Sequence, residues 1–159
     1  MYRIGHGYDS HIFTEGKYIT LAGVTIPFEK GLQSHSDGDV VIHSLCDALL
    51  GATSLGDMGQ HFPDSDQQYA GAQSKVFLNT VKELIQEKGF IICNIDTTIV
   101  LEKPKLQKYI ENMRKNLGSE LKLDTSVISI KAKTNEGMGF IGAGEGIAAF
   151  SVVMLQADK

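Results

Sequence analysis

At 159 residues, with 42% hydrophobic and 21% charged side chains, the chain has the composition of one globular domain with a core of its own, residues 1–159. A net charge of −4 without any basic block argues against a nucleic-acid partner, so any phosphate must be met by local groups such as a metal ion, a lysine or backbone amides. No apolar run is long enough to span a membrane and nothing before the first strand reads as a signal peptide. Cys46 and Cys93 lie in apolar surroundings outside any CxxC pair, so buried, reduced thiols and a cytoplasmic location are expected.

In chain order, Arg3 to Ile12 reads as a first strand, and Tyr18–Leu21 with Val24–Phe28 as a hairpin about Ala22-Gly23, its far end marked by Pro27. Residues 31–38 read as a polar loop. Val40–Ala52 follows as a helix whose apolar stripe is Val41, Leu45, Ala48, Leu49 and Ala52. Ser36 with Asp39 three positions on resembles a capping box, and Asp37 and Asp39 suit the positive end of the helix dipole. Residues 51–71 are rich in Gly, Asp, Ser and Pro and read as loop, the usual place for substrate contacts.

An amphipathic helix is expected over Ala72–Lys88, with Val76, Phe77, Val81, Leu84 and Ile85 inward and Gly89 closing it. Phe90–Leu101, rich in β-branched residues, reads as a buried strand. Pro104 in a first turn would open a third helix over Leu106–Leu117, with Leu106, Ile110, Met113 and Leu117 on its core face. Val127–Ala132 and Gly146–Leu155 are the last strands. Between them, residues 134–146 carry enough glycine for backbone contacts with a phosphate, but lack the GxxxxGK[ST] pattern of a P-loop.

The chemistry concentrates in Gly5-His6-Gly7-Tyr8-Asp9-Ser10-His11. Two residues apart on a strand, Asp9 and His11 leave the same face, and Gly5 and Gly7 on that face leave it open to an approaching ligand. A helix laid across the strand end would bring His43 to them. One carboxylate and two imidazoles make three ligands with a fourth tetrahedral position free, the composition of catalytic zinc sites. Asp39, His43 and Asp47 share a helix face at i, i+4 and i+8, so a carboxylate is expected to orient His43. Two readings outside any family are a zinc- or two-metal phosphohydrolase, which would use the open position to activate water, and a non-catalytic trimeric α/β module that senses a nucleotide. The chain lacks the Asn-His pair typical of two-metal hydrolases, and the sensing module leaves the ligand set without a purpose.

The segments GHGYDSH (5–11), LQSHSDGDVVIH (32–43), DALLGATSLGDMG (47–59), HFPDSD (61–66), EKPKL (102–106), KAKTNEGMGFIG (131–142) and GEGI (144–147) closely resemble the 2-C-methyl-D-erythritol 2,4-cyclodiphosphate synthases of the non-mevalonate isoprenoid pathway, in family order over nearly the whole chain. The resemblance implies an α+β fold: a mixed β-sheet covered by helices on one side, in two layers, assembled as a homotrimer with active sites at subunit interfaces. It also implies conversion of 4-diphosphocytidyl-2-C-methyl-D-erythritol 2-phosphate to the cyclic diphosphate with release of CMP.

Under it, Asp9, His11 and His43 are the zinc ligands, and His35 and Thr134 stabilise the transition state. Ser36, Asp57, Met58, Gly59 and the loop Phe62, Pro63, Asp64, Ser65 and Asp66 touch the substrate with Asp9, His11 and His35. Lys105, Leu106, Lys133 and Thr134 form the cytidine and phosphate pocket, Asn135, Glu136 and Phe140 also touch the substrate, and Glu136 holds Mg2+ or Mn2+ on the phosphates. Many members carry arginine where this chain has Ala143, facing the trimer channel with the positions of His6 and Glu145. Binding of an isoprenoid diphosphate in that channel is therefore not carried over, and catalysis does not depend on it.

Overall fold

The computed structural model describes residues 1–63 and 65–158. Two long antiparallel strands carry the fold. β1 (Tyr2–Glu15) pairs with β7 (Gly146–Ala157) from Tyr2 opposite Gln156 to Ile12 opposite Gly146. β2 (Tyr18–Leu21) and β3 (Val24–Pro27) form a separate hairpin. β4 (Lys30–Leu32) adds to the far end of β1. β5 (Phe90–Val100) pairs antiparallel with β7 and parallel with β6 (Ile128–Lys133), giving a mixed sheet in the order β4-β1-β7-β5-β6. A parallel pair needs a long crossover, and the segment holding α4 (Ile110–Leu121) supplies it.

The sheet is two-faced. Gly5, Gly7, Ile95, Thr97, Ile99, Ala149, Ser151 and Val153 are buried, whereas Ile4, His6, Tyr8, Phe150 and Val152, on the opposite face, are exposed. Helix α1 (Val40–Ala52) lies on the buried face against β1 and β7, with α3 (Ser74–Glu87) packed on α1. The approach of α1 to β1 is close enough that only glycine fits beneath it. A Cβ on Gly5 would stand 1.8 Å from the Ala48 carbonyl oxygen, and one on Gly7 1.9 Å from that of Ser44. These glycines therefore seat the helix and do not open a face to ligand.

The N-terminus of α1 is fastened by Asp39, which is fully buried. Its Oδ1 accepts from the backbone N–H of Ala22 (2.9 Å), Val41 (3.1 Å) and Ile42 (3.1 Å), and its Oδ2 from that of Gly23 (2.6 Å). Asp39 is thus the N-cap itself and not the fourth member of a box begun by Ser36. The same carboxylate holds the β2–β3 turn, where Ala22 (φ 49°) and Gly23 (φ 72°) both take left-handed conformations, as a two-residue hairpin turn requires.

Other expectations shift in detail. Residues 30–32 form β4, Met58–His61 form a short α2, and Gly139–Gly142 a short α5, where only loop was expected. The third helix enters through a 3-10 turn at Gln107–Tyr109, with Leu106 buried just ahead of it, becomes α-helical at Ile110 and runs to Leu121, the next inward position after Met113 and Leu117. Pro104 therefore lies outside its first turn, after a cis Lys103–Pro104 bond. Val76 is exposed, since α3 turns Phe77, Leu78, Val81 and Ile85 inward. Cys46 is buried, but Cys93 is only half-buried, at the shift in register between Ile92 and Asn94. No helix among the described residues is long and apolar enough to cross a membrane.

Candidate metal centre and substrate clefts

Beyond Gly7, β1 emerges from under α1, and the next two side chains on the same face, Asp9 and His11, meet His43 from the first turn of the helix. Oδ2 of Asp9 lies 3.0 Å from Nδ1 of His43 and 3.1 Å from Nε2 of His11, and those two nitrogens are 3.3 Å apart. An ion bound tetrahedrally with bonds of about 2.0–2.1 Å separates its ligand atoms by roughly 3.3 Å, so this triangle has the size that zinc requires. It is the one group of three such side chains among the described residues. Burial alone would raise the Asp9 carboxyl, but hydrogen bonds and charge from His11 and His43 outweigh it and hold it at about 2. Burial likewise opposes charge on His43, and Asp9 outweighs it, moving the imidazole upward from 6.5. The ionised Asp9 carboxylate and the two imidazoles are a donor set for a divalent cation, which would displace the proton that Asp9 favours on His43.

The carboxylates expected to orient His43 do other work. Asp39 caps α1, and Asp47 Oδ1 accepts from the Met58 backbone N–H at 2.8 Å, fixing the start of α2. Burial pushes the Asp47 carboxyl up. The far nitrogen of His43, Nε2, instead faces two hydroxyls, Ser74 Oγ at 2.9 Å and Ser36 Oγ at 3.1 Å.

The triangle opens into a cleft of about 840 Å³, lined by Asp9, His11, His35, Ser36 and His43 on one side and Met58, Gly59, Phe62 and Pro63 on the other. Of the expected contacts, Asp57 and Asp66 cap α2 and the short turn Gln67–Tyr69, accepting from the backbone N–H of Gln60 (3.0 Å) and Gln68 (3.1 Å), and Ser65 is exposed. Asp64 lies outside the described residues. Gln33, Ser34, Tyr69 and Phe77 also line the cleft and were not singled out from the sequence. Phe62, Tyr69 and Phe77 pack together with ring centroids 4.8–5.6 Å apart, Tyr69 edge-on to the other two rings, an aromatic wall that the spacing of three separate segments did not betray.

The residues expected around the cytidine do not join this cleft. Lys105 and Thr134 line a second one, with Phe28, Glu29, Glu102 and Pro104. Leu106 is buried, Lys133 ends β6, and Phe140 is exposed on α5. Thr134 Oγ1 donates to Glu136 Oε1 at 2.7 Å, and Glu102 Oε1 accepts from the backbone N–H of Asn135 at 2.8 Å, which shapes the loop. Glu136 belongs to no group of three metal-ligating side chains among the described residues. Ala143, His6 and Glu145 are exposed.

The model of the YgbB family matches residues 2–156. The 2-C-methyl-D-erythritol 2,4-cyclodiphosphate synthase of Brachyspira hyodysenteriae is 54% identical over 157 residues, covering 99% of each chain. That of Methylococcus capsulatus is 51% identical over 155 residues, covering 98% of each. Among solved structures, the Plasmodium falciparum IspF in complex with CDP superposes with a TM-score of 0.87 at 37% identity, over 99% of this chain and 97% of that one.

Proposed function

The chain belongs to the YgbB family, and on that premise we propose that it is a cytoplasmic, single-domain 2-C-methyl-D-erythritol 2,4-cyclodiphosphate synthase. Its substrate is 4-diphosphocytidyl-2-C-methyl-D-erythritol 2-phosphate. An oxygen of the 2-phosphate attacks the β-phosphorus in line, the bond from that phosphorus to the bridging oxygen breaks, and CMP leaves with the bridging oxygen. The observation that carries this reading is the Asp9–His11–His43 triangle, sized for a tetrahedral cation, at the mouth of a cleft large enough for a sugar phosphate.

Asp9 Oδ2, His11 Nε2 and His43 Nδ1 would hold Zn2+, and Glu136 would hold Mg2+ or Mn2+. When bound, these cations supply the positive charge that lets two anionic phosphates approach. The remaining work belongs to the protein. His35 and Ser36 line the cleft beside the triangle, where an imidazole and a hydroxyl donate to phosphate oxygens. Met58, Gly59, Phe62 and Pro63 form the wall against which the methylerythritol is held, so that the two phosphates meet in a fixed geometry. The aromatic cluster behind that wall keeps water out and favours ring closure over hydrolysis. Lys105, Lys133, Thr134 and Asn135 form the diphosphate and cytidine side, and the Thr134 hydroxyl, which donates to Glu136, would be free to donate to phosphate were that carboxylate to hold a cation.

The homotrimer belongs to the same proposal. Two observations support it. The uncovered sheet face exposes Ile4, Tyr8, Phe150 and Val152 together, with the Tyr8 and Phe150 rings 5.0 Å apart, and a contiguous apolar face of this kind suits association. The metal cleft and the Lys105–Thr134 cleft are also separate within one chain, so a neighbouring subunit is the natural source of the missing half. The test is direct. Incubated with the cytidyl substrate, zinc and magnesium, the protein should release CMP and the 2,4-cyclic diphosphate in equal amounts. A linear phosphate product would overturn the reading.

A further inference from the structure

The metal site proposed above requires His43 to present a lone pair at Nδ1, and this inference rests on that reading. An imidazole that ligates through Nδ1 carries its proton on Nε2, so once a cation displaces the proton that Asp9 draws to Nδ1, an acceptor facing Nε2 supports the ligating tautomer. Two hydroxyls lie within reach, and a hydroxyl can donate or accept. What decides between them is where each sends its own proton.

The Ser74 hydroxyl donates to Oδ1 of Asp37. Asp37 is an acceptor held in place, its Oδ2 taking the Ser74 backbone N–H at 2.8 Å and its Oδ1 that of Asp39 at 3.2 Å. With its proton committed to a carboxylate, Ser74 Oγ offers only lone pairs to His43, 2.9 Å away. Ser36 is not committed in this way. Its Oγ shares a 3.3 Å contact with Ser34 Oγ, in which either atom is the donor, and takes a long contact from the Gly38 N–H at 3.4 Å. Ser74 is also fully buried, so no solvent competes for the bond.

We propose that Ser74 and Asp37 are positioning residues for the metal centre, an Asp37–Ser74–His43 chain that fixes the proton on Nε2 and turns Nδ1 toward the cation. The chain also joins the metal to the wall of the cleft. Ser74 opens α3 directly after the segment that carries Phe62, Pro63 and Tyr69, and the strip 35–37 is zipped to that segment by Gly71 N–H to His35 O (2.9 Å) and Asp37 N–H to Ala72 O (3.3 Å). The segment that walls the substrate and the ligand that holds the metal therefore share one anchor.

Ser74→Ala is a clean variant, because the backbone N–H of residue 74 still reaches Asp37. The experiment measures zinc affinity of the full-length protein by competition with a chromophoric chelator, beside the thermal midpoint of the metal-free form. Ser74→Ala should weaken zinc binding about 10–100-fold, and Asp37→Asn should weaken it in the same direction, while the metal-free midpoint of Ser74→Ala stays close to wild type. In the zinc-loaded wild type, long-range ¹H–¹⁵N correlation should find the His43 proton on Nε2, and Ser74→Ala should shift that Nε2–H resonance. An Nε2–H resonance unmoved by Ser74→Ala, or a Ser74→Ala affinity within about twofold of a tightly binding wild type, would overturn this proposal alone. A wild type that binds no zinc would overturn the metal reading, and this proposal with it.

Discussion

Nδ1 of His43 stands 3.0 Å from Oδ2 of Asp9, although 34 positions separate them in the chain. His43→Ala removes one corner of the triangle and leaves two ligands, too few for a tightly held zinc. Zinc content measured by mass spectrometry should fall to trace levels and turnover below detection, with the far-ultraviolet circular dichroism little changed. Full zinc occupancy with wild-type activity would contradict the assignment.

Ring closure by the substrate's own 2-phosphate consumes no water. Turnover in ¹⁸O-labelled water should therefore leave both the cyclic diphosphate and CMP unlabelled. Label in either product would mean that a water, and not the 2-phosphate, attacks phosphorus.

Gly7 holds α1 against β1, since a Cβ there would stand 1.9 Å from the Ser44 carbonyl oxygen. Gly7→Ala must lift the helix that carries His43. A loss of about 2–3 kcal/mol is expected in urea denaturation, the range of overpacked interiors, with weaker zinc binding alongside. Unchanged stability would mean that α1 and β1 do not approach so closely.

Burial pushes the Asp39 carboxyl up from 3.8 to about 6, an effect that its backbone N–H donors reduce and the nearby Asp37 charge reinforces. The folded state thus takes up this proton more readily than the unfolded one. Its contribution to stability is complete below about pH 4 and declines as the pH rises through 6, by roughly 3 kcal/mol in all. Asp39→Asn, uncharged throughout, should flatten the stability profile of the metal-free protein over that window. It should also lower stability at every pH, because an amide NH2 would face backbone N–H groups in a buried site. Denaturant midpoints between pH 4 and 7.5 measure both effects, and a variant with the wild-type slope would show that Asp39 does not titrate there.

A site shared between subunits can be complemented. His43→Ala subunits keep an intact Lys105 and Thr134 loop, and Lys105→Ala/Thr134→Ala subunits keep an intact metal triangle. Each alone should be nearly inactive. Co-refolded mixtures should regain activity, because some interfaces combine two good halves. Verified subunit exchange without recovery would mean that each site is built within one chain.

Much of this was legible before any coordinates. The alternation that puts Asp9 and His11 on one face, the periodicity that makes Val40–Ala52 a helix, and the ligand chemistry of carboxylate and imidazole are properties of residue type and short spacing, and the structure places these elements where they were expected. The partners of polar side chains were not legible in the same way. Gly5 and Gly7 read as an open face and prove to be the floor beneath a helix. Asp39 and Asp47 read as supports for His43, but packing gives them to the hairpin turn and to α2, and brings Ser74 to the imidazole from 31 positions away. The physical reason is range. A hydrogen bond is made or lost within a few tenths of an ångström, and such distances between remote segments are set by how α1 and α3 stack on the sheet, which depends on the volume of every side chain between them.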